Sequence, residues 1–199
     1  MADHIIIGGH GKVSLLTMPL LRDAGHSVTG VTRNPEHGHD VEAVGGKPLV
    51  LDVETALEDD LVRAFEGKDA VVWSAGAGGG NPGRTYAVDR DAAIRSMEAA
   101  FRAGVRRYVM VSYLGAGPDH GIPQDAPFYA YAQAKAAADA HLRSSGLDWT
   151  ILGPATLTFE KPTGTIDLAP LRDSVEKRVS RGNVALTIRA ALEMDETIG

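Results

Sequence analysis

The sequence predicts an alternating α/β fold, a doubly wound parallel sheet with helices on both faces. Three observations predict it. Short β-branched runs alternate with longer stretches of helical periodicity. Every successive pair of strand candidates is separated by a crossover long enough for a helix or an extended return, and tight hairpin turns are missing. The first strand candidate, His4–Gly8 (HIIIG), is a continuous apolar run, the pattern of a strand buried on both faces.

The elements follow in order. Val13–Ala24 carries Val13, Leu16, Leu20 and Leu21 near helical spacing, with Gly25 as a stop. Ser27–Thr32 and Pro48–Asp52 are the second and third strands. Thr55–Glu66 is a helix with Leu57, Leu61 and Phe65 on its apolar face, ended by Gly67. Ala70–Ser74 is the fourth strand. The glycine-rich loop Ala75–Gly83 leads into a long helix, Thr85–Ala103, closed by Gly104. Its Tyr86, Val88, Ile94, Met97 and Phe101 suit core or dimer packing. Arg107–Ser112 is the fifth strand. Pro127–Ser144 is helical, with Pro127 in the first turn and Gly146 past the end, and Trp149–Leu152 is the sixth strand. After Pro154 the pattern loosens: Thr163–Leu168 is a strand candidate, and Asn183–Glu193 a terminal helix with Ala185, Ile188 and Leu192 on one face. The expectation is one domain over 1–199, with a core over 1–153. A small lobe within 154–199 lies over the carboxyl edge of the sheet, where ligands bind in such folds.

Composition narrows the function. The chain has 199 residues and 21.0 kDa, with 44% hydrophobic residues, enough for a real core. Twenty Lys and Arg against twenty-six Asp and Glu leave a formal charge of −6, and no dense basic cluster offers a nucleic-acid surface. The absence of cysteine excludes disulfides, thiolate nucleophiles, iron–sulfur centres and cysteine-ligated zinc. Apolar runs are too short to span a membrane, and the amino terminus lacks the basic flank and apolar stretch of a secretory signal. The expectation is a cytoplasmic, soluble protein, monomer or homodimer, with a small-molecule substrate.

The chemistry begins at Gly8-Gly9-His10-Gly11-Lys12-Val13-Ser14, between the first strand and its helix. Gly8 permits a tight strand-to-helix turn, and Gly11 lets backbone amides approach a pyrophosphate at the helix N-terminus. Ser14 stands where a third glycine is usual and is small enough to serve. His10 contributes its backbone, though its ring is within reach of a phosphate. A plain glycine-rich turn is the bland alternative. A Walker-type loop is excluded, since Val13 stands where Ser or Thr must hold magnesium, and Ile6 where the first glycine belongs. At the end of the second strand, where NAD binders carry an acid, the sequence reads Thr32-Arg33-Asn34-Pro35. Arg33 suits a 2′-phosphate through bidentate, charge-assisted hydrogen bonds, with Lys12 as a second positive charge. The cofactor expected is therefore NADP, with NAD the less favoured. Otherwise Arg33 is solvated, with Glu36 nearby as a partner. Asp52 suits the adenine amino group, or is a turn or N-cap residue. The run His37-Gly38-His39-Asp40 reads as a solvated polar loop, and no metal site is expected. A Gly-x-Ser-x-Gly hydrolase elbow occurs nowhere. Tyr131 and Lys135 stand at i and i+4, on one face of the helix after the fifth strand.

These motifs, in order, carry a resemblance. GGHGKV, VTRNP, LDV, SAGAG, GVRRYVMVSYLGA, YAQAK, SGLDWTILGPATLT and RVSRGNVA resemble the atypical short-chain dehydrogenase/reductase superfamily, more narrowly its NAD(P)H-binding, NmrA-like group. The resemblance implies a Rossmann domain with a modest substrate lobe. It implies a final strand after the last helix too, which the sequence, stopping at Gly199, lacks or shortens. It implies cofactor contacts from Val53, Ala75, Gly76 and Ala77, with Pro154 and Ala155 on the nicotinamide face. Lys135 would hold the nicotinamide ribose and lower the pKa of Tyr131, which would exchange a proton with the substrate oxygen. Ser112 is the nearest candidate for the third catalytic residue. The assisting hydroxyl is expected one or two places later, at Tyr113 or Leu114, and Gly153 stands where relatives carry arginine. Two functions follow: an NADP(H)-dependent oxidoreductase or epimerase-like enzyme acting on a small carbonyl or hydroxyl compound, and a catalytically silent NADP-sensing regulatory protein. Substrate specificity is expected in Gly115–Ala126 and Ala155–Ser180.

Overall fold

The computed structural model describes residues 1–168 and 177–199. Six strands form one parallel sheet: β1 (Asp3–Ile7), β2 (Ser27–Thr32), β3 (Lys47–Val50), β4 (Ala70–Trp73), β5 (Arg107–Val111) and β6 (Asp148–Leu152), in the order β3-β2-β1-β4-β5-β6. β1 is central, with Ile5 beside Thr29 on one side and Val71 on the other. The order reverses between β1 and β4, and the crevice at their carboxyl ends is where such sheets bind ligands.

Alternation along β1 divides the core. Ile5 and Ile7 face α3 (Glu58–Phe65), α5 (Ala93–Arg102) and α6 (Tyr129–Ser144), packing with Leu61, Phe65, Met97 and Leu142. Ile6 faces α1 (Lys12–Asp23) and α7 (Arg181–Glu193), packing with Val13, Met18, Val184 and Ile188. The continuous apolar run is thus a strand with no solvent face. Among the described residues, no helix is long and apolar enough to cross a membrane.

Four expectations need correction. The polar loop expected at His37–Asp40 is helical: a 3-10 turn, Pro35–His37, runs into α2 (Gly38–Ala43). Asn34 caps the turn by accepting from the Glu36 amide at 3.1 Å, and Val41 is buried beneath β2, where Gly30 leaves room for it. A Cβ on Gly30 would lie 2.6 Å from Met18 Cε and 2.9 Å from Val41 Cγ1. Second, β3 ends before Asp52, which sits in the turn preceding α3. Third, the long helix is composite: α4 (Pro82–Thr85), a π-helical segment over Tyr86–Ala92, then α5. Of the residues expected to pack from it, Val88 and Met97 are buried, Tyr86 and Ile94 are half-buried, and Phe101 is exposed.

The fourth concerns the lobe. No strand forms over Thr163–Leu168; instead β7 (Thr156–Thr158) pairs in parallel with β8 (Arg178–Ser180). Asn183, buried in the first turn of α7, takes the polar groups a ladder would need. Its Oδ1 accepts from the Thr163 and Gly164 amides, and its Nδ2 donates to Thr163 Oγ1 and the Thr165 carbonyl. Part of the proposed specificity segment Ala155–Ser180, residues 169–176, lies outside the described residues. No final strand follows α7 among the described residues. A 3-10 turn, Asp195–Thr197, brings the Gly199 amide to the Trp149 carbonyl at the edge of β6, 3.0 Å away.

Candidate cofactor and active site

The turn from β1 to α1 is built of backbone contacts that exclude side chains. Gly8 has φ +85°, and a Cβ there would stand 2.7 Å from Ala75 Cα; one on Gly9 would stand 2.7 Å from the backbone of Gly30. The Gly9 amide donates to the Val31 carbonyl and the Gly11 amide to the Gly8 carbonyl, at 2.7 and 2.8 Å. The loop is therefore locked to β2 and to itself. Gly11 is the N-cap of the twelve-residue α1, with no side-chain cap and no acid in the first turn. The first-turn amides, those of Lys12, Val13 and Ser14, lack acceptors within the helix. Ser14 adds a fully buried hydroxyl with no hydrogen-bond partner. Unsatisfied donors, a helix dipole and a loop without side chains fit a pyrophosphate.

Beside this loop lies a cavity of about 360 Å³. It brings together Gly8, His10, Gly11, Arg33, Asp52, Val53, Ala75 and Gly76 from four separate loops. Gly9 lies behind it against β2, and Ala77 is fixed by its amide, which donates to Asp89 Oδ2 at 3.0 Å. Arg33 is more than half exposed, and its charged partner is Glu54, at 3.8 Å, not Glu36. Glu54 is shared with Arg84 at 2.9 Å, and Arg84 also donates to the Ala77 carbonyl at 2.6 Å. Asp52, which lines the cavity, accepts from the Glu54 amide with Oδ1, the turn role, and no hydrogen bond is made by its Oδ2 among the described residues. Lys12 departs from expectation. Its ammonium lies 4.9 Å over the Phe159 ring, which also meets the Arg181 guanidinium at 4.2 Å, and it does not line the cavity that holds Arg33. It faces the lobe.

Of the expected catalytic residues, Lys135 and Ser112 meet around Asp139, and Tyr131 packs with Tyr113 and Phe128. Lys135 is fully buried on α6, its Nζ donating to the Val111 carbonyl at 2.9 Å and toward Met110 Sδ at 3.0 Å. Ser112 donates to Asp139 Oδ2 at 2.5 Å. Asp139 stands one turn beyond Lys135. Asp89, in the π-helical segment, is buried with its Oδ1 unpartnered. Burial raises both carboxyl pKa values, an effect that the Lys135 charge opposes, while burial pulls the Lys135 ammonium down. Tyr131 packs 5.6 Å from Tyr113, and Phe128 touches both rings. The expected lowering of the Tyr131 pKa does not occur. Burial pushes it above the usual value of 10, and the charges of Asp89 and Asp139 push it further.

Sequence reasoning missed Asp89 and Asp139. Each had a signal: an acid among Val88, Ala92 and Ala93 on a core-facing helix, and an acid four residues beyond Lys135 in an alanine-rich one. A second cavity, about 700 Å³, is lined by Tyr113, Asp139, Pro154, Ala155 and Asn183, with residues of the lobe. Tyr131 and Lys135 line neither cavity.

The fold and the phosphate loop together define an NAD(P)-binding α/β protein of the Rossmann type. A family described as NAD(P)H-binding matches residues 8–195, and the chain belongs to it. The resemblance to the atypical short-chain dehydrogenase/reductase superfamily is borne out. A UPF0659 protein of Schizosaccharomyces pombe is 37% identical, over 94% of this chain and 83% of that protein. The uncharacterized sugar epimerase YhfK of Bacillus subtilis is 34% identical, over 96% and 88%. A Bacillus halodurans structure, provisionally named an NAD-dependent epimerase/dehydratase, is similar with a TM-score of 0.90 and 29% identity, covering 100% of this chain and 91% of that one.

Proposed function

We propose that the protein is an NADP(H)-dependent oxidoreductase of the atypical short-chain dehydrogenase/reductase type, acting on a small carbonyl or hydroxyl compound. The observation that carries the cofactor reading is Arg33. It is the residue at the end of β2 facing the cavity beside the phosphate loop, where NAD binders carry an acid. The first-turn amides of α1 and the Ser14 hydroxyl hold the pyrophosphate, and the free oxygen of Asp52 accepts from the adenine amino group. When bound, the nicotinamide supplies or accepts hydride. Pro154 and Ala155 line its face, and the larger cavity beside them takes the substrate. The names given to the B. subtilis and B. halodurans relatives, an uncharacterized sugar epimerase and an NAD-dependent epimerase/dehydratase named provisionally, fit a hydroxyl-bearing compound.

Lys135 has three donors, one on a carbonyl and one on a thioether, a weak acceptor. Redirecting the latter to a ribose hydroxyl gives up only that weak acceptor, and it requires the cover over the fully buried Lys135 to open when the cofactor binds. With its pKa raised, Tyr131 stays protonated throughout the neutral range and serves as a proton donor to a carbonyl under reduction. A test is NADPH oxidation against a panel of aldehydes, ketones and quinones. At least one should be reduced, and Tyr131→Phe should lower kcat about 100-fold or more while leaving NADPH affinity within about twofold.

A second reading, a silent NADP sensor, has its own support. The complete burial of Lys135, with Tyr131 set back from both cavities, leaves the usual proton path closed. Tight NADPH binding with no reduction anywhere in the panel would select it.

A further inference from the structure

The cavity beside the phosphate loop contains a feature that neither the glycine motif nor Arg33 explains. His10, from the loop, and His37, from the 3-10 turn after β2, stack face to face, with ring centroids 3.7 Å apart and planes within 13°. Both line the cavity together with Arg33 and Asn34. His10 Nε2 is held by Asp40 Oδ2 at 2.7 Å. The His37 ring makes no side-chain hydrogen bond or ion pair among the described residues, and its ring contact is this stack. We propose that His37, backed by the His10–Asp40 pair, completes the 2′-phosphate site with Arg33, and that it binds a proton when NADP(H) binds, so that the preference for NADP(H) over NAD(H) strengthens as pH falls. This rests on the NADP(H) reading above.

The charges around the pair decide the direction. From the loop come His10 and Lys12, the latter drawn off to Phe159. From the end of β2 and its turn come Arg33 and Glu36, the acid hydrogen-bonded to Asn34 at 3.3 Å. From α2 comes Asp40, bound to His10, and from the turn after β3 come Asp52 and Glu54, the latter between Arg33 and Arg84. Arg33 is thus partly neutralised by Glu54, and the second guanidinium lining the cavity, that of Arg84, is spent on Glu54 and the Ala77 carbonyl. Two stacked imidazoles repel when both are cationic; His10 satisfies Asp40 as a neutral ring by donating Nε2–H, which leaves the added proton, and the nitrogens that offer it to the ligand, to His37. A phosphate dianion brought against His37 favours the imidazolium and draws a proton from solvent. NAD(H) offers no such charge.

The experiment is calorimetric titration of the full chain with NADPH and with NADH at pH 6.5, 7.5 and 8.5, in buffers of different ionisation enthalpy. The proposal predicts proton uptake with NADPH at pH 7.5, none with NADH, and a ratio of NADPH to NADH affinity that falls about fivefold from pH 6.5 to 8.5. The phosphate's own second ionisation, near 6, would change the ratio in the opposite direction. In His37→Gln, with folding checked by circular dichroism, both the uptake and the slope should vanish. A ratio that stays flat or rises with pH in the wild type, or a slope that survives in His37→Gln, overturns the proposal while leaving NADP(H) preference intact. Tighter NADH than NADPH binding at every pH would instead remove the cofactor reading beneath it.

Discussion

The two halves of the crevice are built by different means. On the β1–β2 side, the site is backbone: glycines that admit no side chain, helix-end amides, and a few polar groups on the loops at the carboxyl ends of β2 and β3. On the β5–β6 side it is side chains from the π-helical segment, β5 and α6, with Lys135, Asp89, Asp139 and Ser112 buried together. The first is shaped before any ligand arrives. The second is a charged network under tension, its acids held above and its lysine below their ordinary pKa values. Recognition of a dinucleotide needs fixed geometry, whereas the proton transfer we propose for the second half needs groups whose charge state can change.

The largest effect that would break this contrast is expected at Gly8. Gly8→Val meets both a positive φ and the Ala75 backbone at 2.7 Å, and neither neighbour is a flexible side chain. Loss of about 3 kcal/mol or more in chemical denaturation is expected, with dinucleotide binding abolished. A variant as stable as the wild type would show that the loop is not preset.

Lys135→Met tests the other half. It leaves Asp89 and Asp139 buried without their cation, at an expected cost of about 3 kcal/mol at pH 7.5. The cost should shrink at pH 5.5, because the carboxyls, already raised, protonate more readily once the ammonium is gone. A penalty independent of pH would mean that the network is packing rather than charge.

A smaller effect lies at the opposite end of the sheet. His4 is buried at the start of β1, both ring nitrogens unpartnered, and its pKa is held near 4 by burial and by the neighbouring His26. A histidine whose folded pKa lies below its unfolded value of about 6.5 contributes stability fully only above pH 6.5. That contribution is lost as pH falls toward 4, by roughly 2–3 kcal/mol. His4→Leu should flatten this acid limb in urea titrations at pH 7 and 4.5, since it removes two unsatisfied nitrogens without creating new ones. An unchanged limb would assign it to the carboxylates.

The same division explains what could be read in advance. β2 forms over Ser27–Thr32 as expected and the glycine loop lies where its spacing indicated, because backbone constraints leave local marks in sequence. α2 escaped notice because it has six residues and only Val41 to mark a buried side chain, beside a glycine. Asp89 and Asp139 escaped because their meaning depends on what a tertiary fold places opposite them. Tyr131 and Lys135 were found by spacing, yet the direction of the Tyr131 shift was not, since it is set by burial and by two acids distant in sequence, Asp89 and Asp139. His10 and His37, far apart in sequence, meet only once α2 is in place.

In the proposed reading, the first half of the crevice holds NADP(H), with Arg33 on the 2′-phosphate. Calorimetry of NADPH and NADH against the wild type and Arg33→Ala at constant salt tests it most directly. NADPH should bind the wild type more tightly than NADH and lose about 30-fold on the substitution, with NADH affinity changed by less than about threefold. Equal losses for the two cofactors, or no binding of either at millimolar concentration, would contradict it.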